Sequence, residues 1–244
     1  VGVETIGSLL KEKEFFMTQR STLRLSLPSK GRLMDDSLDF LAECGLAVQK
    51  LNPRQYQAKM PALPELTVLF QRPGDIVVSV RQGSVDFGIT GIDVLEEKRG
   101  DNGDIIVLHD ALGFGACSLM LAVPEAWTDV TDIPSLKTYV ASLNRPLRVA
   151  TKFPVLTGRF LNAQNISHTL IAAEGTLETA PTIGYADIIS DLVSSGQTLQ
   201  DNRLRALRDG VVQASQAALI ANRKALQTNP EALEVARRLL EYIE

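Results

Sequence analysis

Apolar and polar positions along the chain follow two alternating periods. Short runs rich in leucine and valine, such as "LRLSL" from Leu23 and "LRVA" from Leu147, are typical of buried strands. Between such runs, apolar residues recur at helical spacing, as in the C-terminal segment that starts near Pro230. This alternation predicts an α/β fold with mainly parallel sheets.

Two patterns occur twice, in the same order. The segments "LRLSLPSKGRL" and "LRVATKFPVLT" each predict a strand, a turn that contains Lys30 or Lys152, and a helix. Further along, "GSVDFGIT" from Gly83 and "GYADIISD" from Gly184 each place an aspartate three residues after a glycine. The repeat predicts two similar lobes with a cleft between them. We expect an N-terminal extension at residues 1–21, a first lobe at residues 22–112 plus 205–244, and a second lobe at residues 113–204.

Composition limits the kinds of partner. The formal net charge of −4 over 244 residues gives no surface-wide attraction for nucleic acid. No run approaches the ~18 apolar residues that span a bilayer, and the start of the chain lacks the pattern of a secretory signal. The two cysteines and two histidines are too scattered for a disulfide framework or a metal cluster. We therefore expect a cytoplasmic protein with no nucleic-acid or membrane partner, in which any anion site is local.

The stretch "DLVSSGQTL" places an acid ahead of a turn rich in small hydrogen-bonding residues. A predicted strand delivers Asp187 and Asp191, four residues apart and so on one face of an extended chain, into this turn. Gly196 permits close approach of the backbone to a ligand, and successive N–H groups of such a turn form an anion cradle. Further donors are the hydroxyls of Ser194, Ser195 and Thr198.

Two interpretations of this turn stay open on its residues alone. It is a common strand-to-helix turn in which Thr198 caps the helix, or it is a site for a phosphorylated sugar. Carboxylates accept hydrogen bonds from ribose hydroxyls and ligate magnesium, while the cradle holds phosphate. Scattered cations favour the second interpretation, because together they suit a polyanionic ligand. These cations are Lys30, Arg32, Arg54, Arg72 and Lys152.

Seven segments resemble, in order, those of the ATP phosphoribosyltransferases, which catalyse the first step of histidine biosynthesis. The resemblance extends from about Leu23 to Arg223. It implies a two-lobed fold like that of the type II periplasmic binding proteins, with the active site in the cleft between the lobes. The segments are "LPSKGRLMDDSLDFLAECGL", "RPGDIVVSVRQGSVDFGITGIDVLEE", "LGFGAC", "VATKFPVLT", "GTLETAP", "DIISDLVSSGQTLQDN" and "ALIANR".

The resemblance also implies the reaction and the residues that bind its substrates. The family joins N1 of ATP to C1 of the ribose in phosphoribosyl pyrophosphate, and releases pyrophosphate in the presence of substrate-associated Mg²⁺. No residue is assigned as a nucleophile, because positioning and neutralisation of the leaving group supply most of the catalysis. The phosphoribosyl pyrophosphate site comprises Lys152, Glu178, Asp191, Ser194, Ser195, Gly196, Gln197 and Thr198. The nucleotide and polyphosphate site comprises Lys30, Arg32, Arg54, Arg72 and Asp93.

The segment after Arg223 predicts one helix, which is too short to form a regulatory domain. By resemblance, we expect a short-form catalytic subunit that works with a regulatory subunit similar to histidyl-tRNA synthetase. We expect a homodimer alone and a hetero-octamer with that partner, low activity without it, and no histidine site in this chain.

Two alternatives remain beside this function. One is a solute receptor or ligand-sensing domain of the same fold, because a fold by itself does not determine an activity. The other is a phosphoribosyltransferase that acts on a different base, which only the family resemblance excludes. The acid and phosphate turn favours a transferase over a receptor for amino acids or simple ions.

Overall fold

The computed structural model describes residues 22–244, apart from residues 51, 53, 54 and 174. The expected N-terminal extension, residues 1–21, lies outside the described residues. Within them, strands form a six-stranded and a five-stranded sheet, each flanked by helices. The predicted two-lobed α/β class is therefore confirmed. None of the described helices is long and apolar enough to cross a membrane.

The first lobe contains the six-stranded sheet, in the order β2-β3-β1-β4-β11-β5. Its strands are β1 (Leu23–Pro28), β2 (Gln57–Lys59), β3 (Leu66–Gln71), β4 (Phe87–Gly91), β5 (Ile105–His109) and β11 (Ala217–Asn222). Its helices are α1 (Arg32–Glu43), α2 (Pro73–Arg81), α3 (Ile92–Lys98), α7 (Arg223–Thr228) and α8 (Pro230–Ile243).

The second lobe contains the five-stranded sheet, in the order β10-β6-β9-β7-β8. Its strands are β6 (Cys117–Pro124), β7 (Leu147–Thr151), β8 (His168–Ala172), β9 (Ile188–Val193) and β10 (Leu204–Ser215). Its helices are α4 (Ile133–Ser142), α5 (Pro154–Ala163) and α6 (Gln197–Asp201).

The two sheets share one topology. Each contains three adjacent parallel strands, β3-β1-β4 in the first lobe and β8-β7-β9 in the second. The next strand, β11 or β6, runs antiparallel to them. It also pairs in antiparallel fashion with the strand beyond it, which is β5 in the first sheet and β10 in the second. The sheets are therefore mixed, and the expectation of mainly parallel sheets is wrong. The reason is that β6 and β11 each enter a sheet directly after the chain has crossed from the other lobe.

The second crossing lies further along the chain than the sequence predicts. The strand β10 pairs with β6 of the second sheet, so the assignment of residues 205–215 to the first lobe is wrong. The crossing falls near Gln216, and α8 then packs on the first lobe with Ala232, Val235, Ala236 and Leu239 buried. Whether the two lobes are separate domains stays a prediction.

The sequence repeat corresponds to the same pair of hydrogen bonds, between an arginine and an aspartate, in each sheet. In the first lobe the backbone N–H of Arg24 donates to Asp86 Oδ2 at 2.8 Å, and Asp86 N–H donates to the Arg24 carbonyl at 3.1 Å. In the second lobe Arg148 and Asp187 exchange the same pair of bonds, each 2.8 Å long. Each aspartate thus fixes the register between the first and third parallel strands of its lobe.

Apolar residues bury both faces of each sheet, and a smaller cluster joins the lobes. Val94 of α3 packs with Phe153 and Leu156, which flank the start of α5 in the second lobe. Beside this cluster, Glu97 of α3 accepts hydrogen bonds from the backbone N–H groups of Val155 at 2.9 Å and Leu156 at 3.0 Å. A carboxylate of the first lobe therefore caps a helix of the second, where unpaired N–H groups favour an anion.

Candidate active site

The turn after β9 is open to solvent and is built around Gly196. This glycine has φ 78° and ψ −2°, in the left-handed region, and it precedes α6 without a side-chain cap. Thr198 lies inside that short helix, so the interpretation of Thr198 as its cap is wrong. Ser194, Ser195, Gln197 and Thr198 are all exposed.

Several backbone donors of this turn are available to a ligand. Among the described residues, none accepts a hydrogen bond from the N–H groups of Ser194, Ser195 or Gly196. The Gln197 side-chain amide, in contrast, donates to Asp201 Oδ1 at 2.7 Å and is held along the helix. Solvated N–H groups around a left-handed residue form a concavity that suits phosphate oxygens.

Asp191 lies in β9, shortly before this turn. Burial raises its pKa, the Leu192 N–H and the charge of Lys152 oppose that shift, and the charge of Glu178 adds to it. The Leu192 N–H donates to Asp191 Oδ1 at 2.8 Å. The charges of three predicted site residues, Lys152, Glu178 and Asp191, therefore interact.

Strand register explains why two of them meet. Thr151 of β7 lies opposite Ser190 of β9 in a parallel pair. The next residues, Lys152 and Asp191, therefore emerge at the same carboxyl edge of the sheet, where ligand groups of open α/β sheets lie. The sequence predicts both residues but not their pairing.

A buried cluster of three hydroxyls lies directly behind Lys152 and Asp191. Thr157 of α5 donates to Ser190 Oγ at 2.9 Å, and its oxygen is 3.3 Å from that of Thr151. Thr151 Oγ1 also accepts from the Phe153 N–H at 2.9 Å. We name Thr151, Thr157 and Ser190 the hydroxyl cluster; all three are fully buried. Its signal in the sequence is weak: two polar residues in strands that are otherwise largely apolar and one in the helix that follows β7.

The first lobe brings together part of the predicted polyphosphate site. Lys30 follows β1 and Arg72 follows β3, and the Ser29 N–H donates to the Gln71 carbonyl at 2.8 Å, so both cations lie at one sheet edge. Both are exposed. Arg32 is also exposed and lies 3.4 Å from Asp36 of its own helix. Arg54 lies outside the described residues.

Asp93 occupies a different environment from the other predicted residues. It is 3% exposed, and its Oδ1 accepts a 2.5 Å hydrogen bond from Ser215 Oγ, where β10 ends at the crossing between lobes. The backbone N–H of Asp93 donates to Ser215 Oγ at 3.0 Å. The structure therefore places Asp93 at the junction of the lobes, bonded to protein, and its contact with a nucleotide stays a prediction.

Asp187 does not reach the turn. It lies at the opposite end of β9 from Asp191, and its carboxylate accepts hydrogen bonds from Arg145 at 2.5 and 2.8 Å and from the Arg148 side chain at 2.8 Å. Burial opposes ionisation, but the bonds from the two arginines hold the pKa of Asp187 well below its ordinary range. The expectation that the strand delivers both aspartates into the turn is thus wrong for Asp187. Asp187 instead forms structural ion pairs with Arg145 and Arg148.

The donor set around Asp191 fits magnesium only in part. In the described part of the chain, no group of three or more His, Cys, Asp or Glu side chains is arranged to hold a metal ion. Asp191 and Glu178 are two carboxylates whose charges interact, since the charge of Glu178 raises the pKa of Asp191. Mg²⁺ binds through one or two carboxylates when substrate phosphates and waters complete its octahedron. The residues therefore fit an ion that arrives with a polyphosphate.

Comparisons with known proteins agree with this geometry. The profile of the family described as HisG, ATP phosphoribosyltransferase, matches residues 72–243. The chain is 47% identical over 230 residues to ATP phosphoribosyltransferase 2, chloroplastic, of Arabidopsis thaliana, covering 92% of this chain and 55% of that protein. It is 36% identical to the ATP phosphoribosyltransferase of Brucella anthropi, covering 89% of this chain and 97% of that protein.

The chain belongs to the ATP phosphoribosyltransferase family. It spans about half the length of the plant relative. A solved member of the family, in the HisG:HisZ complex from Thermotoga maritima, superposes with a TM-score of 0.69 at 25% identity, covering 91% of this chain and 98% of that one. The alkanesulfonate-binding protein SsuA from Xanthomonas axonopodis pv. citri has a TM-score of 0.52 at 13% identity, covering 92% of this chain and 72% of that one. SsuA shares the fold alone, which supports the type II binding-protein architecture predicted from the sequence.

Proposed function

We propose that this chain transfers the phosphoribosyl group of phosphoribosyl pyrophosphate to N1 of ATP and releases pyrophosphate, as the first step of histidine biosynthesis. The observation that carries the proposal is the open turn after β9. It presents N–H groups around Gly196 that have no acceptor among the described residues, and it follows Asp191 along the chain. An acid for ribose hydroxyls next to a cradle for phosphate is the chemistry that a phosphorylated sugar requires.

Each group has one role in this proposal. The N–H groups from Ser194 to Gly196 and the hydroxyls of the turn bind the 5-phosphate, with Thr198 and Gln197 at its rim. Asp191 accepts hydrogen bonds from the ribose hydroxyls, and Lys152 and Glu178 line the same wall. Fixed donors and acceptors of this kind orient C1 towards the attacking nitrogen and lower the entropic cost of the reaction.

The first lobe neutralises the leaving group and the nucleotide. Lys30 and Arg72 lie at its sheet edge, and Arg32, Arg54 and Asp93 complete the proposed site. Cations at this place stabilise the charge that builds on pyrophosphate as the bond to C1 breaks. Asp191 or Glu178 would hold Mg²⁺ that arrives with the substrate, and the ion would supply further charge neutralisation.

Assembly with a partner is part of the same proposal. The superposition on a chain from the HisG:HisZ complex supports a regulatory subunit of that kind. We propose a homodimer alone, a hetero-octamer with the partner, and a cytoplasmic location. Light scattering and turnover measurements with and without the partner test this, and full activity of the isolated chain with direct inhibition by histidine would contradict it.

The decisive experiment follows turnover by the ultraviolet change of the adenine ring, with ATP, phosphoribosyl pyrophosphate and Mg²⁺, in the presence and absence of the partner. Calorimetry measures binding of phosphoribosyl pyrophosphate to the same samples. Binding without turnover under every condition identifies the ligand-binding alternative. Turnover with another base but not with ATP identifies a different phosphoribosyltransferase.

A matched pair of glycine variants tests the turn itself. Gly196 and Gly184 have similar φ angles, 78° and 72°, and Gly184 lies in the turn that precedes β9. An added Cβ has no neighbour within 4 Å at Gly184 and only Val193 at 3.9 Å at Gly196. Gly196→Ala and Gly184→Ala therefore incur a similar strain of about 1 kcal/mol. Only Gly196→Ala is expected to weaken binding of phosphoribosyl pyrophosphate. If the two variants bind it with equal affinity, the turn has a structural role and no part in binding.

A further inference from the structure

The hydroxyl cluster has no part in the chemistry proposed above, because none of its three side chains reaches solvent. Its position is nevertheless specific. Thr151 directly precedes Lys152, and Ser190 directly precedes Asp191. Thr157, from the first turn of α5, joins the two by bonds of 3.3 and 2.9 Å. One side chain therefore connects the backbones that carry both groups at the carboxyl edge of the sheet.

The first lobe shows that this fold does not require the hydroxyls. Aligning the shared Arg24 and Asp86 with Arg148 and Asp187 places Leu27 where the second lobe has Thr151. The same alignment places Ile89 where the second lobe has Ser190. Leu27 and Ile89 are fully buried and apolar. The first sheet thus fills the equivalent space with hydrocarbon.

Stability alone gives little reason for the cluster. A buried hydroxyl costs free energy unless it is hydrogen-bonded, and a bonded pair is close to neutral when compared with apolar groups of the same shape. What mutual hydrogen bonds add is a fixed rotamer for each member and a fixed separation between the elements they join. Binding sites depend on such supporting contacts, because small displacements of ligand-binding groups are costly.

We propose that Thr157 is a positioning residue, whose hydroxyl sets the separation of Lys152 and Asp191 by bonding to the residues that precede them. Glu97 supports this arrangement from the first lobe, because it caps the N–H groups of Val155 and Leu156 immediately before Thr157. The proposal rests on the proposed function, since it assigns Lys152 and Asp191 to the phosphoribosyl pyrophosphate site.

Thr157→Val and Thr157→Ser provide the test. Valine keeps the shape of threonine and removes the hydroxyl, whereas serine keeps the hydroxyl. We expect Thr157→Val to weaken calorimetric binding of phosphoribosyl pyrophosphate about tenfold and to raise its KM by a similar factor, as displaced binding groups do. The KM for ATP stays at the wild-type value, and Thr157→Ser restores most of the affinity. This split between the two KM values is one that a merely structural role would not produce.

Ser37→Ala is the matched control, because Ser37 is a fully buried hydroxyl in α1 that donates only within its helix, to the Leu33 carbonyl at 2.6 Å. It should leave binding of phosphoribosyl pyrophosphate unchanged. If Thr157→Val does not fold, Ser190→Ala removes the other end of the same bond and is expected to weaken binding as well.

Three results would overturn the proposal. They are wild-type affinity in Thr157→Val or in its substitute Ser190→Ala, equal loss in Thr157→Val and Thr157→Ser, and equal increases in both KM values. Failure of the proposed function is distinguishable, because wild-type protein then binds no phosphoribosyl pyrophosphate at all. Weakened binding in Thr157→Val with normal binding in Ser37→Ala supports the positioning role.

Discussion

The third parallel strand of each lobe, β4 in the first and β9 in the second, begins alike and ends differently. Each follows directly on an aspartate that exchanges hydrogen bonds with the first strand, Asp86 with Arg24 and Asp187 with Arg148. All five residues of β4 are buried, and the chain turns at Gly91 into α3 at the junction of the lobes. In β9 burial stops after Ser190, and the chain enters an exposed turn.

The same strand arrangement thus ends in two different environments, a closed junction between the lobes and an exposed turn. At the end of β4 the polar groups satisfy each other across the junction, as Asp93 does with Ser215. At the end of β9 the donors around Gly196 find no acceptor among the described residues, and most of the turn is exposed. The register that both lobes share is structural, whereas the proposed binding groups lie after it.

The largest effect is expected from Gly88→Ala in β4. The aligned residue of β9 is Ile189, but at Gly88 an added Cβ would lie 2.5 Å from Ile76 of α2 and 3.3 Å from Val80. The helix therefore approaches β4 too closely for a side chain, and the substitution should cost about 2–3 kcal/mol of unfolding free energy. Urea denaturation measures it.

The control is Gly158→Ala in α5, where an added Cβ meets only the Leu170 side chain, at 3.2 Å. Its gain in helix propensity, up to about 1 kcal/mol, should offset that contact. Equal costs at the two positions would contradict the closer approach of the helix in the first lobe.

A smaller loss is expected from Asp187→Asn, about 2 kcal/mol at pH 7, because two half-exposed arginines lose a charged acceptor. The pKa of Asp187 is lowered on folding, so its carboxylate stabilises the native state fully above the unfolded value of about 3.9. That stabilisation declines as pH falls below that value. Denaturation curves of wild type and variant should therefore converge at acid pH.

Asp39→Asn, on the exposed side of α1, is the control for removing a carboxylate, and it should be nearly silent at every pH. A pH-independent difference between wild type and Asp187→Asn would show that the shape of the side chain matters there and its charge does not.

The smallest effect on stability is expected from Asp191→Asn, although it lies on the same strand. Burial raises the pKa of Asp191, so above that pKa the ionised carboxylate destabilises the folded state. Asparagine removes this cost, and Tm should stay the same or rise. Binding of phosphoribosyl pyrophosphate should fall at least about tenfold, because a charged acceptor is lost. A fall in Tm as large as that of Asp187→Asn would contradict the view that Asp187 stabilises the fold whereas Asp191 does not.

Local pattern was sufficient for much of the fold. The repeat of Leu-Arg strands and Gly-x-x-Asp turns corresponds to the aligned strands β1 and β7, and β4 and β9, because each motif is completed within a few residues. The turn after β9 is predictable for the same reason, since its glycine and its small polar residues are contiguous.

Contacts between distant residues could not be predicted. The strand β10 joins the second sheet through antiparallel pairing with β6, about which its own sequence is silent. Asp93 and Ser215 lie 122 residues apart along the chain, and nothing in either segment identifies the other. The separate roles of Asp187 and Asp191 depend on Arg145, which the sequence analysis did not connect with either.

The place of β11 between β4 and β5 determines the order in which the lobes are completed during synthesis. All strands of the second sheet come from the continuous stretch from Cys117 to Ser215, so that lobe has every partner it needs before β11 leaves the ribosome. Until Asn222 has emerged, β4, whose five residues are all buried in the finished sheet, has one open edge, the kind of edge that pairs wrongly with other chains. The half of the protein that is made first is therefore the half that is finished last.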